Sequence, residues 1–195
     1  LIGLEKADRG KILIEGDDIT EMNESELINI RKKVAYVFQD GALFDSMSVF
    51  ENLAYPLYEH TNLNEQEVKS QVLNLLEEFG LSGSEKLFPS ELSGGMQKRV
   101  GLGRSIIMKP KIVLYDEPTA GLDPFNTRKI QEVILSLKSR GVTSIFVTHD
   151  MPSAFAVCDR LALIQDGEVK GLGTEEDLKN DPNGLLNQFV TGKTA

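Results

Sequence analysis

Three short stretches put reactive side chains at strand ends and at a helix start. Ile112-Val113-Leu114-Tyr115-Asp116-Glu117-Pro118 is an apolar run that ends on two adjacent carboxylates. Open α/β sheets bind ligands outside the carboxyl ends of their strands, and this run delivers Asp116 and Glu117 there. Consecutive strand residues face opposite ways, so one acid can approach a magnesium ion while the other orients a water. The same pair is also compatible with solvated charges at a strand edge. Leu92-Ser93-Gly94-Gly95-Met96, followed by Gln97-Lys98-Arg99, opens a helix with a hydroxyl and uncovered N–H groups. That end of a helix dipole is positive and suits an anion, although a plain N-cap after a turn needs the same residues. Ser144-Ile145-Phe146-Val147-Thr148-His149-Asp150 ends a second apolar run on a histidine. His149 can touch the same ligand, or simply pack or stand in solvent.

The elements that must position these groups alternate. Val34 to Phe38 reads as a strand apolar enough to be buried on both faces, with Gln39-Asp40-Gly41 at its end. Ser93 to Met108 reads as a helix, Ile112 to Tyr115 as a buried strand and Ser144 to Val147 as another. Between the last two, Asp123-Pro124 starts a helix that runs to Ser139, with Ile130, Val133, Ile134 and Leu137 as its buried stripe. Earlier, Leu1 to Leu4 reads as the tail of a helix, Lys11 to Gly16 as a short strand and Glu24 to Lys33 as a helix. Asn64 to Phe79 is the clearest helix, with Asn64 and Glu67 as a capping box and Gly80 as its stop. A hairpin is expected around Asp166-Gly167. Strand–helix alternation with apolar strands predicts an α/β core on a mostly parallel sheet. The helical stretch 41–92 reads as an inserted subdomain and 174–195 as a tail of short surface helices.

Composition sets the class. The chain has 195 residues, a formal net charge of −9, one cysteine and no tryptophan. An acidic balance argues against a dedicated nucleic-acid binder, which needs basic surface to displace counterions. Lone Cys158 leaves no intramolecular disulfide and fits a reducing compartment. Apolar runs such as Val34 to Phe38 fall far short of the roughly 18 residues a spanning helix needs. A soluble cytoplasmic domain is expected. The acidic surface around Glu59 to Glu91 disfavours direct docking on anionic lipid.

Taken in order, Ser-Gly-Gly, strand-Asp-Glu-Pro, Gly121-Leu122-Asp123 and strand-Thr-His-Asp resemble the ordered signature of the ABC-type ATPases. The resemblance covers essentially the whole chain and implies a P-loop NTPase-like α/β fold, ATP as ligand, Mg2+ and phosphoanhydride hydrolysis. Gln39 matches the Q-loop glutamine, implied at both nucleotide and metal. Ser93, Gly94 and Gly95 match the signature motif, which in this family meets the nucleotide of the opposite subunit in a head-to-tail homodimer. Asp116 matches the Walker B aspartate that helps hold magnesium, and Glu117 the general base or water-orienting acid. Asp123 matches the D-loop aspartate, beside its capping role, and His149 the switch histidine near the γ-phosphate. On this reading 1–40 is partial core, 41–92 the helical subdomain, 93–173 the core with signature, Walker B, D-loop and H-loop, and 174–195 the tail.

The family also uses a phosphate cradle, Gly-x-x-x-x-Gly-Lys-Ser/Thr, and these 195 residues contain none. Gly192-Lys193-Thr194 fails because Asn187 stands where the first glycine is needed, and Gly10-Lys11 is followed by Ile12. The expectation is a sequence that starts just downstream of the cradle; a cradle genuinely lost is the alternative. These residues alone are then expected to bind ATP very weakly and to lack measurable ATPase.

Gly41 to Thr61 (Gly-Ala-Leu-Phe-Asp-Ser-Met-Ser-Val-Phe-Glu-Asn-Leu-Ala-Tyr-Pro-Leu-Tyr-Glu-His-Thr), with Met96, resembles the ATPases of the Mla (maintenance of lipid asymmetry) transporters. That implies phospholipid or related traffic, a membrane permease as partner, an MCE-domain protein beyond it, and a peripheral place on the cytoplasmic face of the inner membrane. Membrane contact would come only through the permease, and no nucleic acid is involved. Phe44, Met47, Val49, Phe50, Leu53 and Tyr58 suit a groove for a permease's coupling helix, or ordinary core. The rivals are an ABC ATPase of another importer or exporter, a non-transport ABC ATPase, and a binding module without catalysis.

Overall fold

The computed structural model describes residues 2–181 and 183–192. The chain divides between Val147 and Thr148 into two compact units. Among the described residues no helix is long and apolar enough to cross a membrane.

The first unit opens with bends rather than the expected helix tail. Gly3 has φ +73°, which a helix does not allow, and the Arg31 guanidinium donates to the carbonyls of Ile2 (3.0 Å) and Gly3 (3.3 Å). The strand expected over 11–16 is a tight hairpin instead. β1 (Leu13–Ile14) pairs antiparallel with β2 (Asp17–Asp18) across Glu15 and Gly16. Those two have φ 51° and 90°, as a two-residue type I′ turn requires. α1 (Glu24–Arg31), capped by Asn23, closes Leu27 and Ile30 onto Ile14 and Ile19.

Three parallel strands follow in the order β3 (Val34–Val37), β4 (Ile112–Asp116), β5 (Thr143–Val147). β4 is central and buried, with Val113 and Tyr115 essentially inaccessible. β5 corrects the expectation of a buried strand. Among the described residues it pairs with β4 alone, and it leaves Ile145 42% and Val147 58% exposed. Phe38, expected inside β3, lies past its end and is exposed.

Two α-helices lie in the segment 41–92. α2 (Val49–His60) buries Val49, Leu53, Ala54 and Leu57. α3 (Glu65–Glu78) has the anticipated Asn64–Glu67 capping box and buries Val68, Val72 and Leu76. Each such valine or leucine side chain contributes about 1.5–3 kcal/mol on leaving water. α4 (Gly94–Ile106) packs on α2 and on β3. Its Arg99 donates to the carbonyls of Phe79 (2.9 Å) and Gly80 (3.4 Å), closing the end of α3. α5 (Pro124–Ser139) buries the predicted Ile130, Val133, Ile134 and Leu137.

The second unit holds α6 (Met151–Val157), then β6 (Leu161–Gln165) and β7 (Glu168–Gly173), paired antiparallel around Asp166-Gly167 as expected. α7 (Glu175–Asn180) and α8 (Leu185–Thr191) pack on that hairpin through Leu178 and Leu186. The tail is therefore helical where described. Lys193 and Thr194 of the false cradle lie outside the described residues.

Candidate active site

Asp116 closes β4 on a cleft of about 330 Å³ beside Tyr36, Leu114, Ile145 and Val147. In the parallel register Tyr36 stands opposite Leu114, two residues before Asp116 on the same sheet face. Its hydroxyl donates to Asp116 Oδ2 at 2.9 Å. That bond to a carboxylate, reinforced by burial, raises the Tyr36 phenol above its usual range. Burial likewise pushes the Tyr115 phenol up to about 12, which removes it from acid–base work near neutrality. Sequence reading missed Tyr36. Its signal was a phenol inside an apolar strand, because a buried hydroxyl seeks a partner.

Glu117 departs from the expected strand alternation. It sits beyond the strand with φ 46°, a left-handed conformation costing of order 1–3 kcal/mol in a non-glycine residue. Its N–H donates to the Val147 carbonyl at 2.9 Å, and its carbonyl accepts from Ala120 at 3.1 Å. A turn, not a pleat, therefore separates the two acids.

Gln39 stands exposed in the turn after β3, and β3 is paired with β4, which ends on Asp116. The following loop is clamped. Asn52, fully buried, donates to the carbonyls of Phe44 (3.1 Å), Met47 (3.0 Å) and Ser48 (3.0 Å) and accepts from the Phe44 N–H (2.9 Å). Arg104 donates to the Ala42 carbonyl at 2.6 Å. A Cβ on Gly101 would lie 2.6 Å from Gly41 Cα, so α4 touches this loop backbone to backbone.

Ser93 is the N-cap of α4, its Oγ accepting from the Met96 N–H at 3.3 Å. Gly94 is exposed with open space where a Cβ would stand. Gly95 is buried, and its Cβ would lie 2.4 Å from Asn126 Cγ. Asn126 in turn donates its side-chain amide to Asp123. Asp123 caps α5, accepting from Phe125 (2.9 Å) and Asn126 (3.1 Å). The Asn126 side chain, then these backbone N–H groups, hold the Asp123 carboxyl below its ordinary value. Asn126 thus joins the signature residues to Asp123.

Lys98, four residues after Gly94 on the same helix face, donates its ammonium to the Ala120 carbonyl. Burial lowers its proton affinity, while the carboxylates of Asp40 and Glu117 oppose that fall. Sequence reading gave Lys98 no role; the signal that could have found it is its spacing of four from Gly94 on one helix face. His149 belongs to the second unit, exposed in the bend before α6. Among the described residues no three His, Cys, Asp or Glu side chains gather as a metal site.

Residues 1–120 match the family described as ABC transporter. The chain is 41% identical over 194 residues to the probable ribonucleotide transport ATP-binding protein mkl of Mycobacterium leprae (strain TN), covering 99% of this chain and 56% of that protein. It is 41% identical over 186 residues to the intermembrane phospholipid transport system ATP-binding protein MlaF of Escherichia coli (strain K12), covering 95% and 69%. The chain spans about half the length of the mycobacterial relatives it matches. Its fold is similar, at TM-score 0.79 and 30% identity over 88% of this chain and 75% of the other, to a dimeric post-hydrolysis state of the ATP-binding cassette MJ0796 bound to ADP and Pi. Acids at the end of a parallel strand, a Ser-Gly-Gly helix start tied to Asp123, and these matches lead to one conclusion: the chain belongs to the ABC transporter family.

Proposed function

We propose that this protein is the ATP-hydrolysing subunit of a transporter that moves phospholipid, or a related hydrophobic compound, through a membrane permease. The observation that carries the reading is the match to the phospholipid-transport protein MlaF across 95% of the chain. Glu117 holds and deprotonates the attacking water, and Asp116 with Gln39 faces the metal. Carboxylate and amide oxygens are hard donors, which suit Mg2+ in a site otherwise filled by water and phosphate. When bound, Mg2+ neutralises charge on the phosphates. His149 steadies the γ-phosphate. Ser93, Gly94 and Gly95 offer the α4 N-terminus to the nucleotide of a second, head-to-tail copy, with Asp123 beside them; the relative described as a dimer bound to ADP and Pi supports that arrangement.

On this reading 1–40 and 93–173 form the ATPase core, 41–92 is the permease-facing helical subdomain, and 174–195 has no chemistry. The protein lies on the cytoplasmic face of the inner membrane, held there by the permease, with an MCE-domain protein as a further partner. Phe44, Tyr55 and Tyr58 are exposed on that subdomain, with Phe44 and Tyr55 edge to face at 5.3 Å. Val49 and Leu53 belong to its core instead. The 195 residues alone contain no phosphate cradle and bind ATP weakly; micromolar affinity by calorimetry would contradict this.

The name of the mycobacterial relative favours a second reading, in which the same ATPase drives ribonucleotide transport. Purifying the protein with its permease from native membranes separates the two. Under the first reading ATP turnover rises in phospholipid vesicles and labelled phospholipid moves. Movement of ribonucleotide without phospholipid would support the second.

A further inference from the structure

We infer that Lys98 is a positioning residue for the hydrolysis proposed above: it fastens the loop that carries Glu117 and ends on Asp123 to the second turn of α4. The inference rests on the ATPase reading for its consequence, not for its geometry. The loop 117–123 starts from a strained residue, Glu117 at φ 46°, and passes through Gly121 at φ 71°. Its start is tied to β5 by the Glu117 N–H to the Val147 carbonyl (2.9 Å), whereas farther along it carries short-range turns, Ala120 N–H to the Glu117 carbonyl (3.1 Å) and Leu122 N–H to the Thr119 carbonyl (3.2 Å). Such turns set local shape without fixing where a loop stands relative to the rest of a molecule. That fixing needs a tie to a rigid body.

α4 is such a body. Val100 and Leu102 are inaccessible to solvent, Gly101 packs on the Gly41 backbone, and a Cβ on Gly103 would stand 3.1 Å from Leu53 and 3.3 Å from Phe79. Lys98 reaches from it to the Ala120 carbonyl, at the middle of the loop. Asn126, wedged against Gly95 and bonded to Asp123, holds the far end to the same helix. A half-buried ammonium is costly unless paired, and Lys98 takes up a carbonyl with Asp40 and Glu117 close enough to be felt. The contact therefore places a cation at the meeting of three segments: the turn after β3, the loop after β4, and the helix that Ser93 opens. A lysine arm is long enough for this and its three donors tolerate small shifts of the loop.

The test uses the protein purified with its permease. Lys98→Met keeps the aliphatic stem and removes the ammonium, while Lys98→Arg keeps charge and donors. In K98M, amide exchange at Ala120 and Leu122 should quicken about tenfold while α4 amides and the melting temperature hold. ATP turnover should fall about 10- to 100-fold with KM little changed, because a misplaced Glu117 costs rate rather than binding. K98R should recover most of both. Unchanged exchange at Ala120 and Leu122 in K98M overturns the inference whatever the turnover, and so does loosened exchange with undiminished turnover. If K98M does not fold, Lys98→Gln takes its place in the same comparison. A wild-type complex that hydrolyses no ATP overturns the ATPase reading instead, and the exchange result still decides whether Lys98 holds the loop.

Discussion

At the scale of single residues, the site is made by hydrogen bonds that bias charge. Asp116 accepts from Tyr36, and Asp123 accepts from Asn126 and two backbone N–H groups. For Asp123 these bonds favour the ionised carboxylate. For Asp123 the folded pKa lies below the usual 3.8, so its contribution to stability is present above the unfolded value and is lost as pH falls through the folded one. Asn126→Ala removes the strongest of these bonds and should raise the pKa of Asp123 toward 3.8, read from its carboxyl carbon shift in an NMR titration. A titration curve identical to wild type would show that the backbone N–H groups alone set it.

At the scale of elements, α4 separates what glycine does for packing from what it does for chemistry. Gly101 touches the Gly41 backbone, so Gly101→Ala should destabilise the fold by about 1–3 kcal/mol in urea denaturation. Gly94 faces open space, and Gly94→Ala should leave stability unchanged or slightly raised. If Gly94 opens an anion site, G94A nevertheless loses ATP turnover in the assembled complex. Full turnover in G94A would reduce Ser93-Gly94 to a helix cap. The helices α3 and α5 were legible in sequence, since the Asn64–Glu67 capping box and the Ile130 to Leu137 stripe are local facts, whereas the helix tail expected over Leu1 to Leu4 is a run of bends. The parallel core was legible as well. What lay beyond reach depends on contacts between distant segments: Tyr36 meets Asp116 across 80 residues, and Lys98 meets Ala120 across a strand and a turn. β5 was read as buried because its apolar sequence does not state how many strands flank it; among the described residues β4 alone does. Glu117 was placed in a strand because nothing local announces a left-handed glutamate.

At the scale of the whole molecule, the helical segment after Gln39 carries an exposed aromatic surface. Arg104 lies 4.9 Å over the Phe44 ring while also holding the Ala42 carbonyl, so the aromatic surface and the loop after β3 share one anchor. Phe44→Asp should abolish co-purification with the permease while changing stability by no more than about 1 kcal/mol. Val49→Asp, buried in α2, should unfold the protein and serves as the contrast. Retained co-purification of F44D would move the docking surface elsewhere.

The central claim is that Glu117 drives ATP hydrolysis for transport, and Glu117→Gln in the permease complex tests it most directly. The substitution keeps size and hydrogen bonding but removes the base. ATP turnover should fall about 10²- to 10⁴-fold with nucleotide binding retained. Turnover at the wild-type rate in E117Q would contradict the account.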